Sequence, residues 1–364
     1  MTAEILLFAA LLLYLIQMGV FLYGLRRERD YRSNGATPYV SVVIAARNEE
    51  INIQPCLQSV SNQTYPQSLF EIIVVDDGST DKTLETCQSL ARLLPNLAIL
   101  STGSVANSGG KTNALIVGIE QSKGELIFVT DADCVVPDTW IESTVMCYSE
   151  KIGIVGGMTL QRASRPFEGM QSLDWAYLLG IASSAATLRN PLSTIGNNLS
   201  FRRRAYDDVG GYRSINFSVT EDYALFQAIV KSGKWDYSYP IAPELLVISK
   251  PCRTLKELVR QKHRWGKGGL DMTLPGFLVM GIGFLLHAQI LISILYGSTF
   301  AASISLLSKW LADYVFLYSI TGRLGKTTDL KYFYFFEFYY HFYVLLLPFI
   351  VFLGGKVIWK GRKY

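Results

Sequence analysis

An uncharged stretch of 21 residues, Ile5–Leu25, lies near the start of the chain. About 20 helical residues cross the hydrocarbon core of a bilayer, so this stretch predicts a membrane-spanning helix. Only Glu4 precedes it as a charge, and basic residues follow it: Arg26, Arg27 and Arg29. The positive-inside rule then makes residues 1–29 an anchor with its N-terminus outside and the next domain in the cytoplasm. A cleaved signal peptide is disfavoured, because a basic n-region and a small-residue cleavage site are lacking.

The second half of the chain contains further apolar segments. Half of the 364 residues are hydrophobic and the mean hydropathy is +0.24, which is more apolar than a soluble enzyme of this length requires. The uncharged residues 272–308 are too many for one span, and a turn at Gly297-Ser298 predicts two, at about 274–296 and 300–320. With the aromatic segment Tyr332–Leu353, residues 272–355 are predicted to form two or three C-terminal membrane segments.

Charges in and after these segments complicate the count of spans. Lys309 and Asp313 lie i,i+4 in the second span, where they either pair with each other near the membrane edge or serve a substrate. Three full spans after a cytoplasmic domain would place the basic tail, residues 356–364, outside, against the positive-inside rule. Tyr332–Leu353 is therefore the better candidate for a re-entrant or interfacial segment, because Pro348 and Gly354-Gly355 are able to break it.

Between the membrane segments, residues 38–250 have the pattern of a soluble α/β domain. After a polar linker at residues 30–38, apolar runs alternate with helical stretches. The runs are Val40–Ala46, Glu71–Val75 and Leu126–Thr130, and the helical stretches include Ile51–Asn62 and Lys82–Leu94. This alternation predicts a mostly parallel sheet, and such folds bind ligands at the carboxyl ends of their strands.

Charge and cysteine content exclude two classes of function. The net charge is +4 and no run of basic residues forms an arm, so we expect no nucleic-acid partner. The five cysteines are scattered without CxxC pairs, which argues against a zinc knuckle or a disulfide framework. We expect reduced, mostly buried thiols in a cytosolic compartment.

Two carboxylates follow the predicted strand Leu126–Thr130 directly. Asp131 and Asp133 are separated by one residue, so both can address one cation at the strand end. Mg²⁺ or Mn²⁺ prefers oxygen ligands and bridges to substrate phosphates. Burying acids at a strand end without a metal is costly, so this DxD triplet predicts a metal site.

Further candidate residues lie where the first two strands end. They are Ala46 with Arg47 and Glu49 after it, and Asp76 and Asp77 at the end of the second strand. Their edge position suits contacts with a base or ribose. The alternative after the first strand is a helix cap with first-turn acids, and after the second strand it is a turn followed by an N-cap at Ser79 or Thr80. For Asp81 we favour this structural alternative.

Helix starts and one small-polar stretch supply the remaining candidates. Lys111 follows Gly109-Gly110 and can reach a phosphate, although no GxxxxGK[ST] pattern is present. Glu221 and Asp222 precede an apolar helical stretch, either as acids favourable at the helix dipole or as the general base for an acceptor hydroxyl. Gly196–Arg202 either shapes a pocket or forms an ordinary turn and strand.

Residues 251–271 are predicted to form a basic amphipathic helix on the membrane surface. Apolar residues share one face, and six Lys/Arg residues occupy the rest. Gln261, Arg264 and Trp265 lie at i, i+3 and i+4 and therefore share a face. Arg264 can offer a fork of donors to pyrophosphate, and Trp265 can stack on a sugar or pack at the interface.

The order of these motifs resembles a known family. ARNEE, DDGSTD, GGK, DAD, TED and QKHRW, over about residues 38–270, are similar as a set to the motifs of the membrane-integrated enzymes of glycosyltransferase family 2. That group includes cellulose, chitin, hyaluronan and poly-N-acetylglucosamine synthases and ceramide glucosyltransferases. The resemblance implies an α/β GT-A (Rossmann-like) cytosolic domain with N-terminal and C-terminal transmembrane helices. It also implies inverting, metal-dependent transfer from a UDP-sugar.

The resemblance further implies a role for each motif residue. The catalytic residues would be Asp222, as the base, and Glu221 beside it. Asp131 and Asp133 would bind Mg²⁺ or Mn²⁺, Asp133 most directly. The residues that would hold the nucleotide-sugar are Ala46, Arg47, Glu49, Asp76, Asp77, Lys111, Asp131, Asp133, Gln261, Arg264 and Trp265.

Two kinds of acceptor agree with these motifs. About four hydrophobic segments are fewer than usually enclose a channel, which favours a membrane lipid or lipid-linked acceptor at the cytoplasmic face of the cell membrane. The alternative is a processive synthase that extends and secretes a β-linked polymer, for which a homo-oligomer would have to complete the pore. A catalytically inactive scaffold or flippase is a third hypothesis, and it predicts missing acids at the motif positions, none of which is missing.

Overall fold

The computed structural model describes residues 2–27, 35–102 and 110–356, together with two short strands close to the C-terminus. Arg29, most of the linker at residues 30–38, Gly109 and the tail residue Lys360 lie outside the described residues. The first helix, α1 (Thr2–Arg26), covers the predicted N-terminal span.

The domain that follows α1 is built on strands with continuous apolar runs. They are β1 (Val40–Ala46), β2 (Phe70–Asp76), β3 (Leu97–Ser101), β4 (Leu126–Asp131), β5 (Ile152–Gly156), β6 (Thr159–Gln161), β7 (Leu199–Arg202), β8 (Asp236–Ser238) and β9 (Val247–Ser249). Among the described residues, seven of these strands form one sheet in the order β3-β2-β1-β4-β7-β5-β8. Strand β7 runs antiparallel to β4 and β5, and the other neighbours pair in parallel. The prediction of a mostly parallel sheet is confirmed.

Helices cover both faces of this sheet, and the last of them, α10, is followed by the apolar helices of the C-terminal part. In chain order they are α2 (Ile53–Ser61), α3 (Thr83–Ala91), α4 (Lys111–Gln121), α5 (Trp140–Met146), α6 (Pro166–Thr187), α7 (Arg203–Asp208), α8 (Gly211–Ser214), α9 (Glu221–Lys231) and α10 (Leu255–Gly268). The strands β1 and β2 are buried on both faces, which explains why their sequences are continuously apolar instead of alternating.

Register places the polar strand ends together. Ala46 of β1 pairs with Asp76 of β2, and Ala45 pairs with Asp131 of β4. The residues that follow these three strands therefore meet at the carboxyl edge of the sheet, where the sequence predicted a ligand site.

Four helices of the described residues are long and apolar enough to cross a membrane: α1, α11 (Leu274–Leu295), α12 (Thr299–Arg323) and α13 (Phe333–Leu353, preceded by a 3₁₀ turn at Thr327–Tyr332). Helices α11 and α12 cover the two predicted spans, and Gly297, with φ of +81°, lies in the turn between them. Pro348 lies inside α13 and does not end it. Two short strands, β10 (Ile358–Trp359) and β11 (Arg362–Lys363), follow.

The charged side chains within these helices are paired with one another. The Lys309 ammonium lies 2.7 Å from Asp313 Oδ2 and 2.5 Å from Glu337 Oε2, and all three side chains are fully buried. The hydroxyls of Tyr14 and Tyr177 donate to Asp313 Oδ1 at 2.5 and 3.1 Å. The structure thus supports the paired alternative for Lys309 and Asp313, and adds a third partner from α13 that the sequence did not predict.

Removing the cation from this cluster should destabilise the protein. Lys309→Met would leave two buried carboxylates without their counter-ion, which costs about 3–5 kcal/mol for a buried pair. We expect a clearly lower midpoint of thermal unfolding in detergent. The matched control is Lys151→Met at an exposed position, which should change little. Equal midpoints for the two variants would contradict a stabilising role for the cluster.

The two ends of α13 lie against α6 and α10, the helices that follow strands β6 and β9. At its start, the Tyr332 ring fills the space over Gly169 of α6, where a Cβ would come within 2.0 Å of the ring. At its end, Val351 packs on Gly266 of α10, and Gly354 lies beside His263 of the same helix. The helix therefore starts and finishes near the domain.

Candidate active site

The turns after β1 and β2 are tied to each other. Arg47 donates from Nη1 to the carbonyl oxygen of Asp77 and lies 3.9 Å from the Asp77 carboxylate. Asp77 also accepts from the Thr102 hydroxyl at 3.3 Å, and Asp76 accepts from the Ser79 amide at 3.2 Å. Both aspartates are about 4% exposed, so this polar part of the sheet edge is largely buried. We call this part of the edge, around Asp76 and Asp77, the recess.

The predicted caps of α3 are wrong in detail. The helix starts after Lys82. Its first amide, that of Thr83, donates to Asp81 Oδ1 at 3.0 Å. Ser79 and Thr80 instead bond across to the first turn, where the Thr80 amide donates to Asn48 Oδ1 at 2.8 Å. Asn48 has a φ of +54°, a left-handed conformation that asparagine tolerates. Asp81 has the structural role expected for it.

Ala46 and Glu49 contribute to the framework of this recess. The carbonyl of Ala46 accepts the Asp77 amide at 2.8 Å, which fixes the two strand ends side by side. The Glu49 carboxylate accepts from Asn52 Nδ2 at 2.5 Å, and Asn52 Oδ1 in turn accepts from Lys250. The recess therefore reaches the chain segment that leads into α10.

A lysine bridges the two acidic motifs. Lys111 begins α4, and its Nζ lies 2.7 Å from Asp131 Oδ1 and 3.1 Å from Glu221 Oε1. Gly110 precedes it with φ of +50°, a conformation that a side chain would strain. Burial would lower the pKa of the ammonium, but Asp131, Glu221 and Asp222 outweigh burial and raise the pKa above its ordinary value. Lys111 is therefore a permanent cation at the centre of the site.

Asp222 is a partly buried carboxylate beside this lysine. Burial and the charge of Glu221 raise the pKa of Asp222 to about 6, while Lys111 and Arg264 partly oppose the rise. Its carboxylate faces Gly196, where a Cβ would lie 3.0 Å from Oδ2. A carboxylate with a raised pKa in a site is suited to take up a proton from a reacting group.

Helix α10 brings the QKHRW motif to the same edge. The charge of Arg264 acts on Asp222, and Gly268 packs on Thr220, where a Cβ would meet the threonine at 2.4 Å. Burial raises the pKa of the Cys252 thiol to about 11, and the charges acting on that thiol include Arg264 and Asp133. Val135, two residues after Asp133, forms a bridge with Ile248, so the chain segment that leads into α10 passes close to the DxD triplet.

The other two predicted site residues of the motif, Gln261 and Trp265, are partly buried. Trp265 packs against Trp175 of α6, with ring centroids 5.3 Å apart, which agrees with the packing alternative given for it. Gln261 has a buried Oε1 without a hydrogen-bond partner among the described residues. The predicted site residues thus form one group around Asp77 and a second around Lys111, with α10 beside the second.

The asparagines predicted to shape a pocket form part of the core. The Trp140 indole donates to Asn198 Oδ1 at 2.9 Å, and Asn198 Nδ2 donates to the carbonyls of Met158 and Leu245, each at 2.8 Å. This supports the alternative of an ordinary turn and strand for these asparagines, while Gly196 provides the space for Asp222.

Sequence reasoning missed the buried pair Asp174–Lys262. Asp174 lies within a long, mainly apolar stretch of α6, and a carboxylate in such a place requires a cation. The sequence therefore indicates that Asp174 requires a cation. It does not identify Lys262 as that cation, because the two residues are far apart along the chain. Lys262 was counted only as one of the solvent-facing basic residues of α10.

The DxD residues fit a divalent cation that is shared with a substrate. Asp131 and Asp133 are both partly accessible carboxylates at the end of β4. Within the described part of the chain, no three His, Cys, Asp or Glu side chains group into a metal site of their own. Mg²⁺ and Mn²⁺ commonly bind through one or two carboxylates plus substrate phosphates and water, so the donor set is of the appropriate kind.

The whole fold is similar to that of a solved mannosyltransferase. The mannosyltransferase of Pyrobaculum calidifontis, solved with GDP-Man and Mn²⁺, superposes with a TM-score of 0.61 over 94% of this chain and 98% of that one, at 19% identity. The chain therefore has a GT-A-like fold, with apolar helices before and after the domain that carries the sheet.

The sequence comparisons identify the family. The profile described as "Glycosyl transferase family 2" matches residues 41–223, and the chain belongs to that family. It is 30% identical to the glycosyltransferase AglE of Haloferax volcanii over 71% of this chain and 82% of that protein. It is also 30% identical to a beta-monoglucosyldiacylglycerol synthase of Nostoc sp. over 68% of this chain. The chain spans about half the length (53%) of that synthase.

Proposed function

We propose that this glycosyltransferase moves a sugar from a UDP-sugar to a membrane lipid or lipid-linked acceptor, with inversion at the anomeric carbon. One observation carries the proposal: Lys111 joins Asp131 of the DxD triplet to Glu221 of the TED motif. This brings a carboxylate suited to a metal-bound diphosphate close to the TED motif, in which Asp222, the neighbour of Glu221, is the proposed base. A single displacement requires both functions on opposite sides of the reacting carbon.

In the proposed reaction, Asp222 takes the proton of the acceptor hydroxyl while its oxygen attacks the anomeric carbon. The bond to the diphosphate oxygen breaks, and UDP leaves with the electron pair. Lys111 and Arg264 supply positive charge to the departing diphosphate. When bound at Asp131 and Asp133, Mg²⁺ or Mn²⁺ would add Lewis-acid stabilisation of that leaving group. The recess around Asp76 and Asp77 would hold the nucleoside, with Arg47 and Glu49 as its framework.

A lipid acceptor is supported by the position of the site relative to the apolar helices. Helix α10, which carries Arg264, is followed directly by α11 and packs on α13. An acceptor anchored in the bilayer would therefore arrive beside Asp222. The similarity to a synthase of a glucosyldiacylglycerol agrees with this acceptor class.

A screen of nucleotide-sugars tests the proposed activity. The purified protein in detergent with Mn²⁺ and a bilayer lipid extract should release UDP from one UDP-sugar well above the rate without lipid. GDP-mannose is the matched comparison, because it keeps the diphosphate and changes the base. Release from no UDP-sugar, or from GDP-mannose alone, would contradict the proposed donor.

The transferase activity should decrease at acidic pH. Because the pKa of Asp222 is about 6, the carboxylate is ionised above that pH and can act as a base there. We expect kcat/KM to fall about tenfold per pH unit below about pH 6. Lys111 lowers the pKa of Asp222, so Lys111→Met should move this acid limb to higher pH. An acid limb at the same pH in both proteins would contradict the assignment.

We propose that the catalytic domain faces the cytoplasm at the cell membrane and that the C-terminal tail lies on the same side. Both ends of α13 contact elements next to the domain, so α13 would enter and leave the membrane at one face. Only α1, α11 and α12 would then cross fully. This arrangement resolves the conflict with the positive-inside rule, because the basic residues after Leu353 remain cytoplasmic.

Cysteine labelling tests this orientation. A membrane-impermeant maleimide should label Lys356→Cys in inside-out vesicles and not in right-side-out vesicles. Thr299→Cys, at the start of α12 directly after the turn that follows α11, should show the opposite pattern. Labelling of both positions from one side would contradict the arrangement.

A further inference from the structure

A buried ion pair joins α10 to α6 next to the site. Lys262 of α10 and Asp174 of α6 are in direct contact through Nζ and Oδ2, and their side chains are 2% and 0% exposed. The hydroxyl of Tyr339 in α13 donates to the same carboxylate oxygen at 3.4 Å. Three helices that are distant in sequence therefore meet at one carboxylate.

The ammonium of Lys262 also lies between two aromatic rings. It is 4.5 Å from the ring centroid of Trp265 and 4.9 Å from that of Tyr343. Trp265 in turn packs on Trp175, the residue next to Asp174. A cation over an aromatic face is attracted by the ring, and more strongly where water is excluded. The ion pair and the tryptophan of the motif thus form one packed unit.

The spacing along α10 connects this unit to the reacting groups. Lys262 and Trp265 are three residues apart and share a face, whereas Lys262 and Arg264 are two residues apart and point in different directions. The Lys262 face packs on α6 and α13, while the charge of Arg264 acts on Asp222. Rotation of α10 about its axis would therefore move Arg264 relative to the base.

We infer that Asp174 and Lys262 are positioning residues that fix the rotation of α10 and so hold Arg264 and Trp265 in register with Asp222. Neither residue touches the reacting atoms. Their effect on turnover rests on the proposed function, but the geometry they impose exists in the protein without substrate. Displacement of a site group by about 1 Å can reduce turnover a hundredfold, so a pair outside the reaction centre can control rate.

A double substitution separates positioning from simple stabilisation. Lys262→Met combined with Asp174→Leu removes both charges together, and replacing a whole buried pair with apolar residues is often neutral for stability. We expect a thermal midpoint close to wild type, with kcat for transfer reduced roughly tenfold to a hundredfold. Lys262→Arg, which keeps a cation over the ring, should retain most of the turnover. A double variant with wild-type midpoint and wild-type kcat would overturn the inference.

A measurement without substrate distinguishes failure of this inference from failure of the proposed function. The near-ultraviolet circular dichroism from the Trp175–Trp265 contact should be lost in the double variant and in Trp265→Phe, and kept in Lys262→Arg. An unchanged signal in the double variant would overturn the inference, whatever the activity of the wild type. If the double variant does not fold, the isosteric Asp174→Asn variant gives the same two readouts. In it, an unchanged signal and unchanged kcat would also overturn the inference.

Discussion

Asp222→Asn is expected to lose nearly all transferase activity while it keeps its fold and its donor binding. General-base catalysis contributes about a hundredfold to ten-thousandfold, and the amide cannot take up the acceptor proton. Burial raises the pKa of Asp222, which means that the fold stabilises the uncharged side chain more than water does. The folded protein should therefore tolerate the neutral amide. Initial rates of sugar transfer and the Kd for UDP together measure the effect.

The control for this experiment is Asp207→Asn, an exposed aspartate on the helix that follows β7. It should transfer sugar at the wild-type rate. A wild-type rate in Asp222→Asn would remove the carboxylate from the mechanism, and a lost UDP affinity would mean that Asp222 acts in binding instead.

Asp133→Asn should have the second large effect, through the cation and not through the base. Loss of one carboxylate ligand should weaken Mn²⁺-dependent UDP binding and reduce transfer by about a hundredfold or more, since such a cation is worth several kcal/mol in the transition state. Calorimetric titration of UDP, with and without Mn²⁺, measures this directly. Wild-type protein should bind UDP more tightly with Mn²⁺, and Asp133→Asn should show little difference.

Asp138→Asn is the matched control, because Asp138 is exposed and lies a few residues after the same strand. It should keep the full Mn²⁺ dependence. An undiminished Mn²⁺ effect in Asp133→Asn would show that the DxD triplet does not bind the cation.

The position of the acidic edge could be predicted because it depends on local pattern and one general rule. Apolar runs that end in acids give the strands, and parallel pairing places their carboxyl ends together. Pairing of Ala46 with Asp76 and of Ala45 with Asp131 follows from that rule. The GT-A fold, the family and the apolar helices were likewise predicted from the motif set and the hydropathy, and these predictions are confirmed.

Contacts between distant segments could not be predicted, because nothing local records the partner. Glu337 completes the Lys309 cluster from α13, and Asp174 meets Lys262 from α6. Glu337 and Asp174 stand out in the sequence as charges within apolar segments. Several lysines or arginines could have paired with each of them, so the sequence does not identify the partner. The direction of a side chain could not be predicted from the sequence either. Trp265, which was proposed to stack on a sugar or to pack at the interface, packs on Trp175.

Transfer of labelled sugar in a reconstituted membrane is the most direct test of the central claim. The purified protein in vesicles of a bilayer lipid extract, with Mn²⁺ and the radiolabelled UDP-sugar found by the donor screen, should place the label in a chloroform-soluble product of low mass. The Asp222→Asn variant should give none. A water-soluble polymer of high mass would contradict the lipid acceptor and favour the processive synthase, and no transferred label in either phase would contradict the proposed reaction as a whole.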